Sequence, residues 1–163
     1  MSIRHTAYFI PEPAGGSISG TAKDSITESD ITSGGKTVII TLTNDTWIAA
    51  GTGAIGTEAQ SLAICQSLDS AQAEGTGWDA EVKNNFVHTD IARTSSTVAT
   101  ITIGAEASYD ITAQETITMG DIASAVLTTS GTDITPSDNT FTVDIVAAGA
   151  TLQGSLMMMG VGI

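Results

Sequence analysis

The chain has 163 residues, with five Lys and Arg against eighteen Asp and Glu, which gives a formal net charge of −13. Hydrophobic residues make up 41% of the chain and charged residues only 14%, so the composition predicts a folded protein with a sizeable core. Because binding to nucleic acid or to an anionic membrane depends on clustered Lys and Arg, we expect neither partner.

The N-terminal residues 1–23 are predicted to form an extended arm. Pro11, Pro13 and the pair Gly15–Gly16 disfavour regular structure over this stretch. A short apolar tip precedes them, and it lacks the run of at least about seven apolar residues that a secretory signal needs. We therefore expect synthesis in the cytoplasm without export by a cleaved signal. The tip, which we expect to contact a partner, consists of Ala7, Tyr8, Phe9 and Ile10.

Threonine alternates with aliphatic residues in several later segments. In residues 36–43, Val38, Ile40 and Leu42 alternate with more polar positions, and this period of two predicts a strand that buries one face. Residues 25–31 precede Gly34–Gly35 and are predicted to form a first strand that enters a tight turn. A polar turn at residues 93–97 predicts a hairpin between two strands. About seven strands are expected, including those at 25–31, 36–43, 97–103, 115–119 and 140–145.

One segment, residues 57–74, predicts the single helix among these strands. It contains no Gly or Pro, and Thr57 with Gln60 three residues later resembles a capping box. Gly75 follows as the predicted stop. Cys65, the only cysteine, is predicted to be a small buried side chain, since no histidine or electropositive group accompanies it.

The loop before this helix, Gly51–Gly56, has the Gly-x-Gly-x-x-Gly spacing of a dinucleotide site. Such a site requires a parallel strand–helix–strand unit, and the strands predicted around this loop are antiparallel. We therefore predict a flexible loop between a strand and a helix, and no bound cofactor.

The C-terminal residues 146–163 form a second predicted arm or strand, and the domain proper is expected to span residues 24–145. The apolar run Leu156–Ile163 is much shorter than the roughly 20 residues that cross a bilayer, so it predicts contact with another protein surface. Acids are scarce in both arms: Glu12 is the only one before Asp24, and none follows Asp144. The expected contact residues at this end are Leu156, Met157, Met158, Met159, Val161 and Ile163.

The middle of the chain has an ordered series of strand and turn segments, in residues 25–31, 34–47, 68–72, 77–82, Val87, 93–103 and 109–118. Together these segments resemble a family of immunoglobulin-like β-sandwich domains found in the virion structural proteins of tailed bacteriophages. This resemblance implies an antiparallel β-sandwich and a structural role in a capsid, head or tail. It covers roughly residues 24–145, although the segment after Thr118 departs from the expected strand and predicts an irregular edge.

The aromatic residues and histidines have structural interpretations. Trp47 and Trp78 are predicted to lie in the core, and Tyr109, just before a strand, is placed to tie down a corner between sheets. His88 is predicted to lie on a strand, either facing solvent or hydrogen-bonded in the core. His5 and His88 are the two histidines of the chain, and two are too few to predict a zinc site.

Two groups of carboxylates could approach one another at one end of a sandwich: Asp24, Glu28 and Asp30 near the first predicted strand, and Asp133, Asp138 and Asp144 near the last. Calcium binding stays open on this basis, but no Asp-rich calcium loop is present, and we predict no metal site. The acids are expected mostly in turns and at strand ends, with Thr supplying an uncharged polar face. No catalytic motif is found, so we predict no enzyme activity.

These expectations together predict a structural virion protein, most simply a capsid decoration or cement protein anchored through its arms. The expected partners are the major capsid protein or other virion subunits and further copies of the chain, with a trimer as one form. The expected location is the virion, after synthesis in the cytoplasm of the bacterial host. The alternative is an adhesin-like module, exposed on a tail or surface, that recognises a cell-surface glycan or protein.

Overall fold

A computed structural model describes residues 17–20, 26–70, 77–111, 113–129, 131–135 and 142–146, with the backbone alone for 17–20, 142 and 146. The strands in these ranges are β1 (Ser17–Gly20), β2 (Ile26–Thr27), β3 (Thr37–Thr43), β4 (Leu68–Ser70), β5 (Ile91–Arg93), β6 (Val98–Thr102), β7 (Glu115–Met119) and β8 (Thr142–Val146). The helices are α1 (Glu28–Ser33), α2 (Glu58–Gln66) and α3 (Gly77–Glu81), with 3-10 turns at Lys83–Asn85, His88–Asp90 and Ser124–Val126.

The strands form two four-stranded sheets, and the protein is mainly β. The first sheet has the order β1-β3-β6-β5, and all of its neighbouring strands are antiparallel. The second sheet has the order β2-β8-β7-β4, in which β2 and β8 are parallel and the other pairs are antiparallel. The mainly β class predicted from the sequence is confirmed.

The alternation of residues in β3 confirms the predicted strand and its buried face. Val38, Ile40 and Leu42 are at most 3% exposed, and the residues that alternate with them lie on the outward side, namely Thr37, Ile39, Thr41 and Thr43. The predicted hairpin is also confirmed, because β5 and β6 pair across a turn in which the Val98 carbonyl accepts the N–H of Thr94 at 2.9 Å. Inward residues of both sheets belong to one hydrophobic core, which includes Ile101 from the first sheet and Ile117 from the second.

The predicted first strand at 25–31 is wrong beyond its start. Only Ile26 and Thr27 are extended, and α1 begins at Glu28. Thr27 Oγ1 accepts the Asp30 N–H at 3.2 Å while Asp30 Oδ2 accepts the Thr27 N–H at 3.0 Å. This capping box satisfies two backbone donors locally, which stabilises a helical turn over an extended strand. The helix ends at Gly34, which has a φ of 71° and lies too close to Ala105 for a larger residue.

The predicted helix at 57–74 begins where expected but ends early. Its capping box is confirmed, since Thr57 Oγ1 accepts the Gln60 N–H at 3.2 Å and Gln60 Oε1 accepts the Thr57 N–H at 2.8 Å. The helix stops at Gln66 because Leu68 starts strand β4, which pairs with β7. Gly75, the predicted stop, lies outside the described residues. The described ranges also contain α1 and α3, so the prediction of a single helix is wrong.

The segment after β7 has the irregular edge that the sequence predicts. Ile122 makes an isolated antiparallel bridge to Ile134, and Leu127 makes another to Trp47. Between them lies the 3-10 turn at Ser124–Val126. Asp45, only 3% exposed, holds this stretch in place because its Oδ1 accepts the N–H groups of Thr128 at 3.1 Å and Thr129 at 2.9 Å.

Candidate functional site

The predicted partner contacts in the two arms lie outside the described residues, so their placement stays a prediction. Strand β1 falls within the range assigned to the N-terminal arm, and it pairs with β3 at the edge of the first sheet. The contacts concerned are Ala7, Tyr8, Phe9, Ile10, Leu156, Met157, Met158, Met159, Val161 and Ile163.

The outward side of the first sheet, which we call the threonine face, carries uncharged residues at every described position. Register places Ile39 opposite Thr100 and Thr41 opposite Val98, so these side chains share one side of the sheet. Ile39 is 38% exposed, and Val87, in a turn outside both sheets, is the other exposed large hydrophobic residue of the described chain. The threonine face consists of Thr37, Ile39, Thr41, Thr43, Ala92, Val98, Thr100 and Thr102.

The outward side of the second sheet differs because it carries carboxylates. Thr116 on β7 donates its hydroxyl to Asp144 Oδ1 on β8 at 2.8 Å. On edge strand β4, Asp69 faces outward opposite Thr118, and its Oδ1 lies 2.6 Å from Lys83 Nζ. The acids are expected mostly in turns and at strand ends, and Asp69 and Asp144 are exceptions because both lie within strands of the second sheet.

The second sheet also buries a carboxylate in the core. Glu115 is 1% exposed and occupies an inward position of β7. Its Oε2 accepts the Trp78 N–H at 3.2 Å and the Tyr109 hydroxyl at 2.5 Å. Burial and the adjacent Glu115 carboxylate raise the pKa of Tyr109 above its usual range. The phenol therefore stays protonated and continues to donate to the carboxylate.

Gly77, at the start of α3, makes room for this buried carboxylate. Its φ is +54°, and a Cβ added there would lie 2.2 Å from Glu115 Oε1. The absence of a side chain thus lets Glu115 reach the N–H at the beginning of α3. Glu115 accepts hydrogen bonds from both Tyr109 and the Trp78 N–H, which we interpret as a structural link between β7 and α3.

The predicted core positions of Trp47 and Trp78 are confirmed. Trp47 is 0% exposed and Trp78 is 1% exposed. The Trp78 Nε1–H donates to the Leu68 carbonyl at 3.0 Å, and its ring meets Phe86 edge-on with centroids 6.0 Å apart. Tyr109 is buried before β7 and ties the preceding loop to that strand through Glu115. The sequence pattern contains a signal for Glu115 itself, because it lies two residues before Ile117 and so shares the buried side of β7 with it.

A second buried carboxylate lies beside strand β4. Asp79 is 4% exposed, and its Oδ1 accepts the Ser70 N–H at 3.4 Å. Burial raises the pKa of Asp79, the Ser70 N–H and Lys83 oppose that shift, and the Asp69 carboxylate adds to it. At the edge of the second sheet Asp79 thus lies near both a second carboxylate and one ammonium group.

His88 and Cys65 lie in different surroundings from each other. His88 occupies a 3-10 turn, so its predicted place on a strand is wrong. Its side chain is partly exposed, and its Nε2 lies 3.7 Å from Glu58 Oε1. Cys65 is fully buried as predicted, and burial raises the pKa of its thiol to about 12. A thiol with that pKa supplies almost no thiolate near neutral pH, so this group is a poor nucleophile.

The loop with dinucleotide-like spacing bonds to itself. The N–H groups of Gly51 and Gly53 donate to the Gly56 carbonyl at 2.8 and 3.1 Å. The Ile55 N–H donates to Ser61 Oγ at 3.0 Å. Because these amides already have partners within the chain, they do not point at a phosphate, and the segment is a loop that enters a helix, as predicted.

The carboxylates considered for calcium serve as local hydrogen-bond acceptors. Asp30 caps α1, and the Thr27 N–H lowers its pKa. Asp133 Oδ1 accepts the Ser124 N–H at 2.6 Å, and this bond lowers the pKa of Asp133. Asp24 and Asp138 lie outside the described ranges. Within those ranges no group of three or more His, Cys, Asp or Glu side chains is arranged to hold a metal ion.

A small cavity lies between α2 and the irregular segment after β7. Its volume is about 110 Å³, well below the roughly 300–1,000 Å³ of typical ligand sites. The lining is mostly apolar, including Ile64, Ile122 and Val126, and Asp121 is its one carboxylate. This cavity has room for a single small side chain, and one carboxylate alone does not make an acid–base pair.

None of the helices in the described ranges is both long enough and apolar enough to cross a membrane. Comparison with protein-family models, with curated proteins and with solved structures finds no significant match. The likeness to immunoglobulin-like virion domains therefore stays a prediction from the residues that carry it.

Proposed function

We propose that this chain is a non-enzymatic structural protein of a tailed-phage virion, with an immunoglobulin-like sandwich as its body. Within this class, a capsid decoration or cement protein anchored through its arms fits best. Support comes from the two-sheet, mainly β fold and from the sequence resemblance described above. The partners are the major capsid protein or other virion subunits.

The pairing of β1 with β3 is the observation that carries this proposal. Residues Ser17–Gly20 add a strand to the edge of the first sheet, with Ser17 opposite Thr43 and Gly20 opposite Ile40. A segment before the body thus already binds by backbone pairing. Strand addition uses main-chain hydrogen bonds for affinity and needs little side-chain complementarity. The same mode of binding would let more distal residues of the arm pair with an exposed strand of a neighbouring subunit.

The proposal is tested by deleting residues 156–163 in particles that carry the protein. We expect the truncated chain to be lost from purified particles, because its apolar contact with the neighbouring subunit is removed. The isolated protein should keep its thermal unfolding temperature, because the proposal assigns these residues to a contact between subunits. Normal occupancy of the truncated chain in a particle map would contradict the C-terminal anchor.

A matched variant replaces Phe9 and Ile10 with Ser and leaves the C-terminus intact. Loss of occupancy in this variant alone would place the anchor in the N-terminal arm. Normal occupancy in both variants, together with specific binding on a glycan array, would favour the adhesin-like alternative and reject the decoration role.

A further inference from the structure

We propose that the threonine face of the first sheet is a homotypic interface, on which a second copy of the chain packs face to face. The chain carries a net charge of −13, yet the described residues on this side of the sheet are all uncharged. Ile39, one of two exposed large hydrophobic residues in the described ranges, lies in this face. The partner's identity follows from this charge distribution.

An acidic chain repels its own copies at most orientations, because like charges brought together destabilise the contact. A basic partner would gain most by binding carboxylates such as Asp69 and Asp144, which lie on the second sheet. The threonine face offers such a partner no opposite charge. It does let a second acidic chain approach without placing carboxylate against carboxylate. The charge pattern therefore favours another copy over a basic protein.

The shape of the face suits a symmetric contact. Two flat sheets pack about 10 Å apart, and the methyl and hydroxyl groups of Thr provide both apolar contact and hydrogen-bonding groups. In a two-fold contact the same patch serves both copies. Ile39 is flanked by Thr37 and Thr41 along β3 and by Thr100 across from it, so it lies near the centre of the patch. Such a contact makes pairs, whereas the trimer named above would need another interface.

The size of the face limits the strength of the pair. Seven residues of β3 across four strands give at most about 450 Å² at about 3.4 Å per residue and 4.8 Å per strand. A standard interface buries about 800 Å² on each partner, so we expect a weak dimer that forms only at high protein concentration. The inference rests on the proposed function, because arms bound to a common particle would raise the local concentration and hold the pair together.

Sedimentation equilibrium of the full chain up to about 1 mM tests the inference. We expect Ile39→Glu to weaken the dimer at least tenfold, or about 1.4 kcal/mol, because it brings two carboxylates together at the centre of the interface. Val87→Glu is the matched control: it adds the same charge at the other exposed hydrophobic position, and it should leave the dimer unchanged. A monomeric wild type at 1 mM, or equal effects of both substitutions, would overturn the inference.

Charge exchange separates a direct contact from a general effect on folding. Ile39→Glu and Ile39→Lys should each self-associate poorly, and an equimolar mixture should recover affinity to within about threefold of the wild type. Absence of recovery would reject the two-fold arrangement. If deletion of residues 156–163 abolished the dimer while Ile39→Glu preserved it, the contact would belong to the arm, and the face assignment would fail although the proposed anchor would stand.

Discussion

The two sheets are built from the same alternation of Thr with aliphatic residues, but they handle charge in opposite ways. The described inward positions of the first sheet are apolar apart from the edge residue Arg93, and its outward positions are uncharged. The second sheet carries Asp69 and Asp144 outward and Glu115 inward. Alternation thus predicts which side of a strand a residue faces. Whether a charged residue is tolerated there depends on the hydrogen-bond donors that neighbouring elements bring to it.

The difference has a physical basis at Glu115. A carboxylate without partners in a core is very costly, but this one accepts the Trp78 N–H and the Tyr109 hydroxyl. Both donors are buried as well, and they would lack a partner without Glu115.

The largest effect is expected from Glu115→Ala, which removes the buried acceptor in the second sheet. Two buried donors lose their partner and a cavity is left, so the free energy of unfolding should fall by about 3–5 kcal/mol. The control is Asp144→Ala on the outward side of the adjacent strand, which should cost under about 1 kcal/mol. Urea unfolding measures both values. Equal losses would show that the network does not distinguish the two sides of the sheet.

A smaller loss is expected from Gly77→Ala, which tests the space that Glu115 occupies. The added Cβ meets the carboxylate at 2.2 Å, and the φ of +54° adds backbone strain, so we expect a loss of about 2–3 kcal/mol. Gly35→Ala is the matched control, with a φ of +86° and nothing within 4 Å of the added Cβ. It should cost about 1 kcal/mol from strain alone. If thermal unfolding showed the two losses to be the same, the close packing of Glu115 on α3 would not matter to stability.

The smallest effect is a pH dependence at the edge of the second sheet. The pKa of Asp79 is raised in the folded chain, so the folded state binds more protons there and this contribution to stability falls as the pH rises from about 4 toward 7. Asp79→Asn should remove that fall while keeping an acceptor for the Ser70 N–H. Relative to the wild type, the free energy of unfolding of the variant should therefore be higher at pH 7 than at pH 4.

Asp30 should give a pH dependence of stability with the opposite sign to that of Asp79. The Thr27 N–H lowers its pKa, so its contribution to stability is present above the unfolded pKa of 3.8 and is lost as the pH falls below it. The loss of free energy of unfolding caused by Asp30→Asn should thus be largest at neutral pH. Urea unfolding over pH 3–8 checks both variants, and slopes of the same sign would contradict the assignment.

The sequence predicts much of the fold where one physical signal dominates. Period-two patterns locate β3, β6 and β7, and Thr57 with Gln60 locates the start of α2. The predicted strand at 25–31 depends on its place before the turn at Gly34–Gly35, but Thr27 and Asp30 have the spacing of a capping box. Here the local cap stabilises a helix in place of the predicted strand. The early end of α2 follows from the pairing of β4 with β7, which is a contact distant in sequence.

The candidate sites show the same division. An uncharged Thr face follows from the alternation once β3 and β6 are placed side by side. The network around Glu115 needs the N–H of Trp78, which lies 37 residues away in the chain, so no local pattern reveals it. The arms depend on contacts with other chains, and a single sequence contains only one side of such contacts.

The buried position of Cys65 has a practical consequence. Its side chain is 0% exposed in α2 and its thiol pKa is about 12, so a thiol reagent reaches it only when this part of the core opens. The rate of its labelling in native buffer therefore reports the local opening of α2 directly. Because the chain has one cysteine, the protein contains its own single-site probe of fluctuations, and a second cysteine placed on the surface would react separately and much faster.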